Sequence, residues 1–493
     1  MPFEAESFSQ LCAKISSFDL SGTKAPPPPW GAKLPTSADL VAALKDGGSV
    51  LPPAYQAGYV KPLQEQIPRL IHLVRGTPSF AGSVETLFGA VHQHSADHTH
   101  SLPLRRFMAV VSDLYRSFLC DKKRAAAGVQ PSEVLPPLAT FKYRGDDGPF
   151  TIPVDAAEQV FGSSIGVVSM PAVYSDHPLL WGSLAHETGG HDVVHAEQGM
   201  LAELQAATVA KFGASGLAQT TRLSVDQFMG VLWAYWMDES AADVYGLLNM
   251  GPAFAFNLAA LFSGLLGGGK GAGPQMRLQS GTADAHGNLD PHPTDILRMG
   301  LAMGVIDSLS GLSAKTRAGY IFGLQQVVDI CAGSNKEVKI EGIIALGPLH
   351  LPISTSQPLK EMMKAARTVG KLIATIKLKA LNGHGIQQLE TWDDGDEQVA
   401  GRIEAAFVAG QPVAALGDDA QLLAGLTLAA ARYPSRYDEL SKLANAALDA
   451  SYADDPIFSA PAADRAYIAY QPWKLNASLA IPVAAPARKR AGR

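Results

Sequence analysis

A chain of 493 residues exceeds one hydrophobic core, and at about 100–200 residues per domain two to four units are expected. Hydrophobic residues make up 47% and charged residues 17%, a globular balance that excludes wholesale disorder. With 40 Lys+Arg against 46 Asp+Glu, the chain lacks the global positive field of a nucleic-acid binder.

The first residues, MPFEAESFSQLCAK, contain no basic stretch leading into an apolar run, so no secretory signal is expected. Residues 1 to about 35 read as an arm, in which Pro26 to Pro29 favour a stiff polyproline II connector ending at Trp30. Helices are expected from there to about 130. One begins at Ser101 and Pro103, keeps Phe107, Val111, Leu114 and Phe118 on one face, and has Gly128 where a C-cap would sit. Ahead of it, VHQHSADHTH gathers His92, His94, Asp97, His98 and His100. A polar loop is the usual outcome for such a stretch, with a second metal site or a cleft wall as the alternatives.

Between 139 and 174 the pattern changes to strands, first around an Asp146-Asp147-Gly148 turn and then from Ile165 to Tyr174. Helices return over about 178–211, 225–250 and 253–266. The last is shorter than a membrane span and contains Asn257, so it reads as a buried helix, and no membrane partner is expected. GGGKGAG at 267–273 approximates a phosphate loop. Gly271 stands where Ser or Thr should bind magnesium, and a helix precedes it instead of a strand, so a flexible loop is expected. From about 340 one apolar stretch, KIEGIIALGPLHLPI, gives way to Ala- and Leu-rich helices and a basic tail, ARKRAGR. Cys12, Cys120 and Cys331 form neither a disulfide framework nor a CxxC site, which fits a reducing compartment, the cytoplasm. The fold class expected is mainly α with a small β-sheet (α+β). Residues 1–135 form an N-terminal arm and helical region, 136–335 a metal-binding catalytic domain, and 336–493 a C-terminal helical region.

The chemistry is concentrated in LLWGSLAHETGGHDVVHAE, Leu179 to Glu197. Two imidazoles on one helical face, with a carboxylate beside the first, are the layout of a zinc hydrolase. His186 and His191 stand at i and i+5, roughly 140° apart on a regular helix, too far to share one ion. A one-residue π-bulge would return them to one face, and Gly189 and Gly190 lie where the backbone must deform. Two mid-helix glycines cost about 1 kcal/mol each relative to alanine, a cost to which such a bulge would give a purpose. Alternatively His191 and His195, at i and i+4, form the ligand pair, or all three histidines are merely satisfied in the fold. A second helix begins at Ser224, where Gln227 completes a capping box. It carries Glu239 and Asp243 at i and i+4 among Trp233, Tyr235, Trp236 and Met237. Carboxylates in such apolar surroundings need a cation or donors. A zinc ion would meet Glu239, and Asp243 would accept the outer N–H of a ligand histidine.

HETGGH at 186–191 followed by DESAAD at 238–243 resembles the paired signatures of the dipeptidyl peptidase III family. Those proteins are gluzincin zinc peptidases with a one-residue-expanded HExxxH helix and an E-E-x-x-A-E/D helix further on. The resemblance implies a zincin-like catalytic core with helical flanking regions. It implies His186, His191 and Glu239 as ligands of Zn2+, Glu187 as general base, and Asp243 as the acid behind a ligand histidine. Extended substrates of gluzincins pair with a strand just before the helix, and Val167 to Ala172 is placed to offer that edge. The chain departs from the pattern at Thr188-Gly189, where the family has bulky apolar residues, and at Asp238, which replaces the first Glu.

The expectation is a zinc metallopeptidase or related amide hydrolase acting on a peptide or amide substrate. A metal-activated water would attack, and Glu187 would move its proton to the leaving amine. For the oxyanion donor, Asp284 to Arg298 offers His292, His286 and Arg298, and Tyr245 is a further candidate. His292 is placed with Glu187 as catalytic. The alternative for that loop is a Pro-rich turn with Thr294 capping the next helix. Two other functions share the ligand set: a non-haem iron oxygenase, for which Glu187 has no use, and a scaffold that keeps the metal for stability.

Overall fold

Apolar residues recur at helical intervals along most of this chain, and strands are confined to two short sheets, so the fold is mainly α with a small β component. The computed structural model describes residues 5–18, 28–31, 33–77, 80–95, 101–119, 122–129, 135–143, 148–163, 165–216, 223–266, 273–414 and 416–455. Pro26, Pro27, Asp97, His98, His100, Cys120, the Asp146-Asp147 turn, the glycine-rich loop at 267–272 and the basic tail lie outside those residues.

The first sheet holds β1 (Leu138–Lys142), β2 (Phe150–Ile152) and β3 (Val167–Pro171) in the order β1-β3-β2. β3 runs parallel to β1, with Leu138 opposite Val167, and antiparallel to β2, with Phe150 opposite Ser169. This corrects the expectation of an open edge at Val167 to Ala172. All five residues of β3 are buried and its backbone is paired on both sides, so it has no row of free amides for a substrate. β1 and the half-buried β2 are the two edge strands that flank β3. The second sheet comprises β4 (Gln279–Ser280), β5 (Glu337–Leu346) and β6 (Leu349–Pro358). β5 and β6 form an antiparallel hairpin whose connection contains Gly347 at φ 56°. The apolar stretch after 340 is thus a two-stranded ribbon, and alternating burial along β5 is the pattern that marks it.

The helical expectations hold in outline and differ at their breaks. The Ser101–Leu119 helix ends before Gly128, and a short Lys122–Ala126 helix intervenes; Gly128 has φ 67°. The span 178–211 divides into a 3-10 turn at Pro178–Gly182, a histidine-bearing helix over 183–196, and the Met200–Lys211 helix after Gly199 at φ 86°. The span 225–250 is broken at Trp236 into Val225–Tyr235 and Met237–Met250. Its capping box is present: Ser224 Oγ accepts from the Gln227 amide, and Gln227 Oε1 accepts from the Ser224 amide.

Met237–Met250 lies at the centre, with every residue but Asp238 buried. It packs against the histidine-bearing helix, the Pro252–Leu266 helix and the Asp295–Ser308 helix. The buried Asn257 donates to the carbonyl of Leu179 at 2.8 Å and to Thr427 Oγ1 at 3.0 Å, which ties the Pro252–Leu266 helix to both neighbours. The Tyr437–Asp454 helix closes onto Ser101–Leu119, where Arg106 forks onto Asp449 at 2.7 and 2.8 Å and Arg116 meets Asp455 at 2.6 Å. Among the described residues no helix is long and apolar enough to cross a membrane.

Candidate metal centre

The helix containing HETGGH changes its winding where the sequence inserts an extra residue. α-Helix covers Ser183–His186, π-helix covers Glu187–Asp192, and α-helix resumes over Val193–Ala196. A π-turn closes hydrogen bonds at i+5, so it stacks residue i+5 over residue i. The His186 and His191 rings accordingly lie 4.8 Å apart, centroid to centroid, with planes at 89°. The two glycines bring this turn close to the neighbouring helix. A Cβ on Gly190 would stand 2.4 Å from Ala242 Cα and 2.5 Å from Ala242 Cβ, inside contact distance of backbone. One on Gly189 would meet Asn249 Nδ2 at 2.3 Å. Only a bare backbone fits between the π-turn and Met237–Met250.

That contact places Glu239 across from the histidines. His186 Nε2 is 3.2 Å from Glu239 Oε2 and His191 Nε2 is 3.5 Å from Glu239 Oε1. One ligand atom from each of the three residues lies within 4.8 Å of the others. Ligands about 2.0–2.1 Å from a tetrahedral zinc are separated from one another by about 3.3 Å, close to the separation of each histidine Nε2 from the Glu239 oxygen it faces, Oε2 for His186 and Oε1 for His191. Glu239 Oε2 is buried, and no donor among the described residues is aligned on it. A buried carboxylate oxygen without an aligned donor, beside two imidazole nitrogens, suits a shared cation.

Behind each histidine stands an acid. Asp243 Oδ1 is 2.9 Å from His186 Nδ1, and Arg298 holds that carboxylate through Nε to Oδ2 at 2.6 Å and through Nη2 to Oδ1. Asp238 Oδ1 is 3.1 Å from His191 Nδ1. Arg298 Nη2 also lies 3.1 Å from His186 Nδ1. With Nδ1 of each ring held on an acid, Nε2 is the nitrogen turned toward the cluster. His195 belongs to this outer layer. Its Nε2 lies 3.2 Å from both oxygens of Asp238 and its Nδ1 lies 3.0 Å from Asp155 Oδ2, so the alternative in which His191 and His195 form the ligand pair does not describe the fold.

These contacts set the ionisation of the metal-free site. Burial and Arg298 press the His186 pKa down, but Asp243 and Glu239 outweigh them and leave it above the ordinary imidazole value. Burial also opposes protonation of His191, and Asp238 and Glu239 lift it well above that value. Burial would raise Glu239 and Asp243. His292 and His191 hold the first below its ordinary range, and Arg298 and His186 hold the second. His195 is carried up to about 10, because Asp238 and Asp155 overcome its burial.

The remaining expected residues fall on both sides of the outcome. Glu187 is buried at the first position of the π-turn, where the Thr151 hydroxyl on β2 lies 2.8 Å from its Oε2 and 3.0 Å from its carbonyl oxygen. His292 lies against the cluster, with Nε2 3.1 Å from Glu239 Oε1 and Nδ1 2.7 Å from Asp290 Oδ1. The Glu239 carboxylate, against the opposing effect of burial, raises it to about 10. Its loop is fixed by Tyr235, which donates to the Leu289 carbonyl, and by the Trp236 indole, which donates to the Asp290 carbonyl at 2.9 Å. Thr294 occupies the N-cap position of Asp295–Ser308, but its side chain makes no capping bond. His286 is exposed, its backbone N–H donates to Asp284 Oδ1, and it is not among the residues that converge with Glu239. Tyr245 is buried and its hydroxyl is directed at Met200 Sδ at 2.7 Å, so it is not an oxyanion donor. Arg298 is likewise committed to Asp243. Sequence reasoning missed Thr151 and Asp155, which have no local signature. It gave Asp238 and His195 no supporting role, although one adjoins Glu239 and the other lies one helical turn beyond His191.

Comparison with protein-family models, curated proteins and solved structures finds no match to this chain.

Two outcomes follow from this geometry. Gly190→Ala forces Cβ into the Ala242 backbone and is expected to cost about 1–3 kcal/mol in chemical unfolding, as overpacking does, and to weaken divalent-metal binding. Gly189→Ala meets only a side-chain end and costs less; equal effects would contradict the assigned contacts. Metal must also displace the protons that His186 and His191 hold in the metal-free site. Zn2+ affinity in chelator competition should therefore rise with pH, by up to about tenfold per unit for each histidine still protonated. A flat profile through neutral pH would contradict the raised values.

Proposed function

We propose that the protein is a zinc-dependent hydrolase, a metallopeptidase in its class of reaction, acting on a peptide or amide substrate. The single observation that carries this reading is the convergence of His186, His191 and Glu239 across the π-turn, with Glu187 next in the chain to the first histidine. Two imidazoles and one carboxylate leave a coordination position for a reactant, as catalytic zinc sites do. Zinc held there would lower the pKa of a water and polarise a substrate carbonyl.

The chain's own groups supply the rest. Glu187 receives the proton of the attacking water and returns it to the departing nitrogen. The Thr151 hydroxyl fixes one carboxylate oxygen of Glu187 and so limits its rotation. Asp243, held in place by Arg298, stands at His186 Nδ1 and fixes the ring so that Nε2 is the atom offered to a metal once its proton is displaced. His292, half exposed, has Nε2 on Glu239 Oε1 and Nδ1 on Asp290 Oδ1; a cation held by Glu239 would release the Nε2–H to donate to the oxygen that gains charge as the carbonyl is attacked. The buried free thiols Cys12 and Cys331 fit a reducing compartment, and the cytoplasm is the location we propose.

The test is Glu187→Gln against wild type on a peptide mixture, read by mass spectrometry, with bound metal measured in both. The variant should retain the metal and lose cleavage by about 10²–10⁴-fold, the usual contribution of a general base. Equal cleavage by both proteins would remove Glu187 from the reaction. Iron with oxygen-dependent turnover in the wild type would assign the ligand set to an oxygenase instead.

A further inference from the structure

The two ligand histidines are supported by matching arms. On one side His186 Nδ1 meets Asp243, and a cation, Arg298, holds the far side of that carboxylate. On the other side His191 Nδ1 meets Asp238 Oδ1, and His195 Nε2 lies 3.2 Å from each oxygen of the same carboxylate. His195 therefore occupies the place that Arg298 occupies in the first arm. The second arm continues one step further. His195 Nδ1 is 3.0 Å from Asp155 Oδ2, on the Val154–Phe161 helix that follows β2. The backbone N–H of Val154 donates to Asp192 Oδ1 at 2.9 Å, so the start of that helix is fastened to the π-turn itself. His195 faces a carboxylate from each ring nitrogen, and both nitrogens can satisfy these contacts only as donors.

A carboxylate beside a metal-binding histidine needs a fixed position to fix the ring. Asp238 is the one residue of Met237–Met250 outside the buried set, and its side chain is 38% exposed. Without a second contact it would be free to turn toward solvent. We propose that His195 is a positioning residue of the metal centre: anchored by Asp155, it clamps Asp238 against His191 Nδ1 and so aims His191 Nε2 at the ligand cluster. This rests on His186, His191 and Glu239 being the ligands. It adds that the i+4 histidine, which does not face the cluster, governs how firmly the i+5 histidine binds.

The experiment measures Zn2+ affinity by chelator competition, and the visible spectrum with Co2+ as the probe, for wild type, His195→Leu, His195→Gln and Asp155→Asn. His195→Leu should weaken Zn2+ binding by about 10–100-fold, the usual effect of losing an outer-layer partner, and change the Co2+ spectrum. His195→Gln keeps one N–H for Asp238 and should recover part of the affinity, which a loss of packing alone would not explain. Asp155→Asn changes a partly exposed residue further from the ligands. It should bind several-fold more weakly at an unchanged melting temperature, so it tests the clamp even where His195→Leu fails to fold. Wild-type affinity and spectrum in His195→Leu, or in Asp155→Asn where the former is unfolded, would overturn the proposal and leave the ligand assignment standing. A wild type that binds neither Zn2+ nor Co2+ would overturn the ligand assignment and this proposal with it.

Discussion

The approach of Gly190 to Ala242 is the contact on which the site depends. Here the backbone of the π-turn lies against the backbone of Met237–Met250 with no room for a single added carbon. Everything chemical is arranged around that touching point: His186 and His191 on one side, and on the other Glu239, about one turn before Ala242, and Asp243, the residue after it. A pair of helices separated by ordinary side chains would stand 8–10 Å apart at their axes, about the usual spacing, and the reach of a glutamate across that gap would be less constrained. The glycines cost helix propensity, and the π-turn departs from the preferred winding, so the local sequence works against regular helix where His186, His191 and Glu239 meet.

Electrostatics explains why such an arrangement is not simply an unfavourable burial of charge. Glu239 and Asp243 are nearly removed from solvent on an otherwise apolar helix. Arg298 compensates Asp243 directly, and Glu239 is left facing imidazoles. Without metal, protons on those imidazoles supply the opposite charge, which is why the histidines sit above and the carboxylates below their ordinary ranges. A divalent ion bound there would take over that role. Such an exchange of protons for a cation would leave the acids around the cluster in place.

The amino-acid order made part of this legible. The HETGGH spacing is one residue too long for a regular helix, and the winding changes at that residue. The Glu239/Asp243 spacing places both acids on one helical face, and the structure sets them against the same histidine, His186. What local order could not reveal were partners brought in from afar: Thr151 from an edge strand, Asp155 from the helix after it, and Arg298 from a helix 55 residues beyond Asp243. Val167 to Pro171 illustrates the converse error. Its apolar run suits an edge or a centre strand equally well, and pairing on both sides, a non-local property, made it the centre. The β5–β6 hairpin was hidden because its turn, Gly347-Pro348, sits inside what reads as one apolar stretch.

X-ray absorption of the protein loaded with one equivalent of Zn2+ tests the three-residue ligand set most directly. The spectrum should show two imidazole nitrogens and carboxylate oxygen at about 2.0–2.2 Å with no sulfur, and Glu239→Ala should remove one protein oxygen from that shell. A zinc environment containing sulfur, or one unchanged by Glu239→Ala, would contradict the assignment of His186, His191 and Glu239 to a common ion.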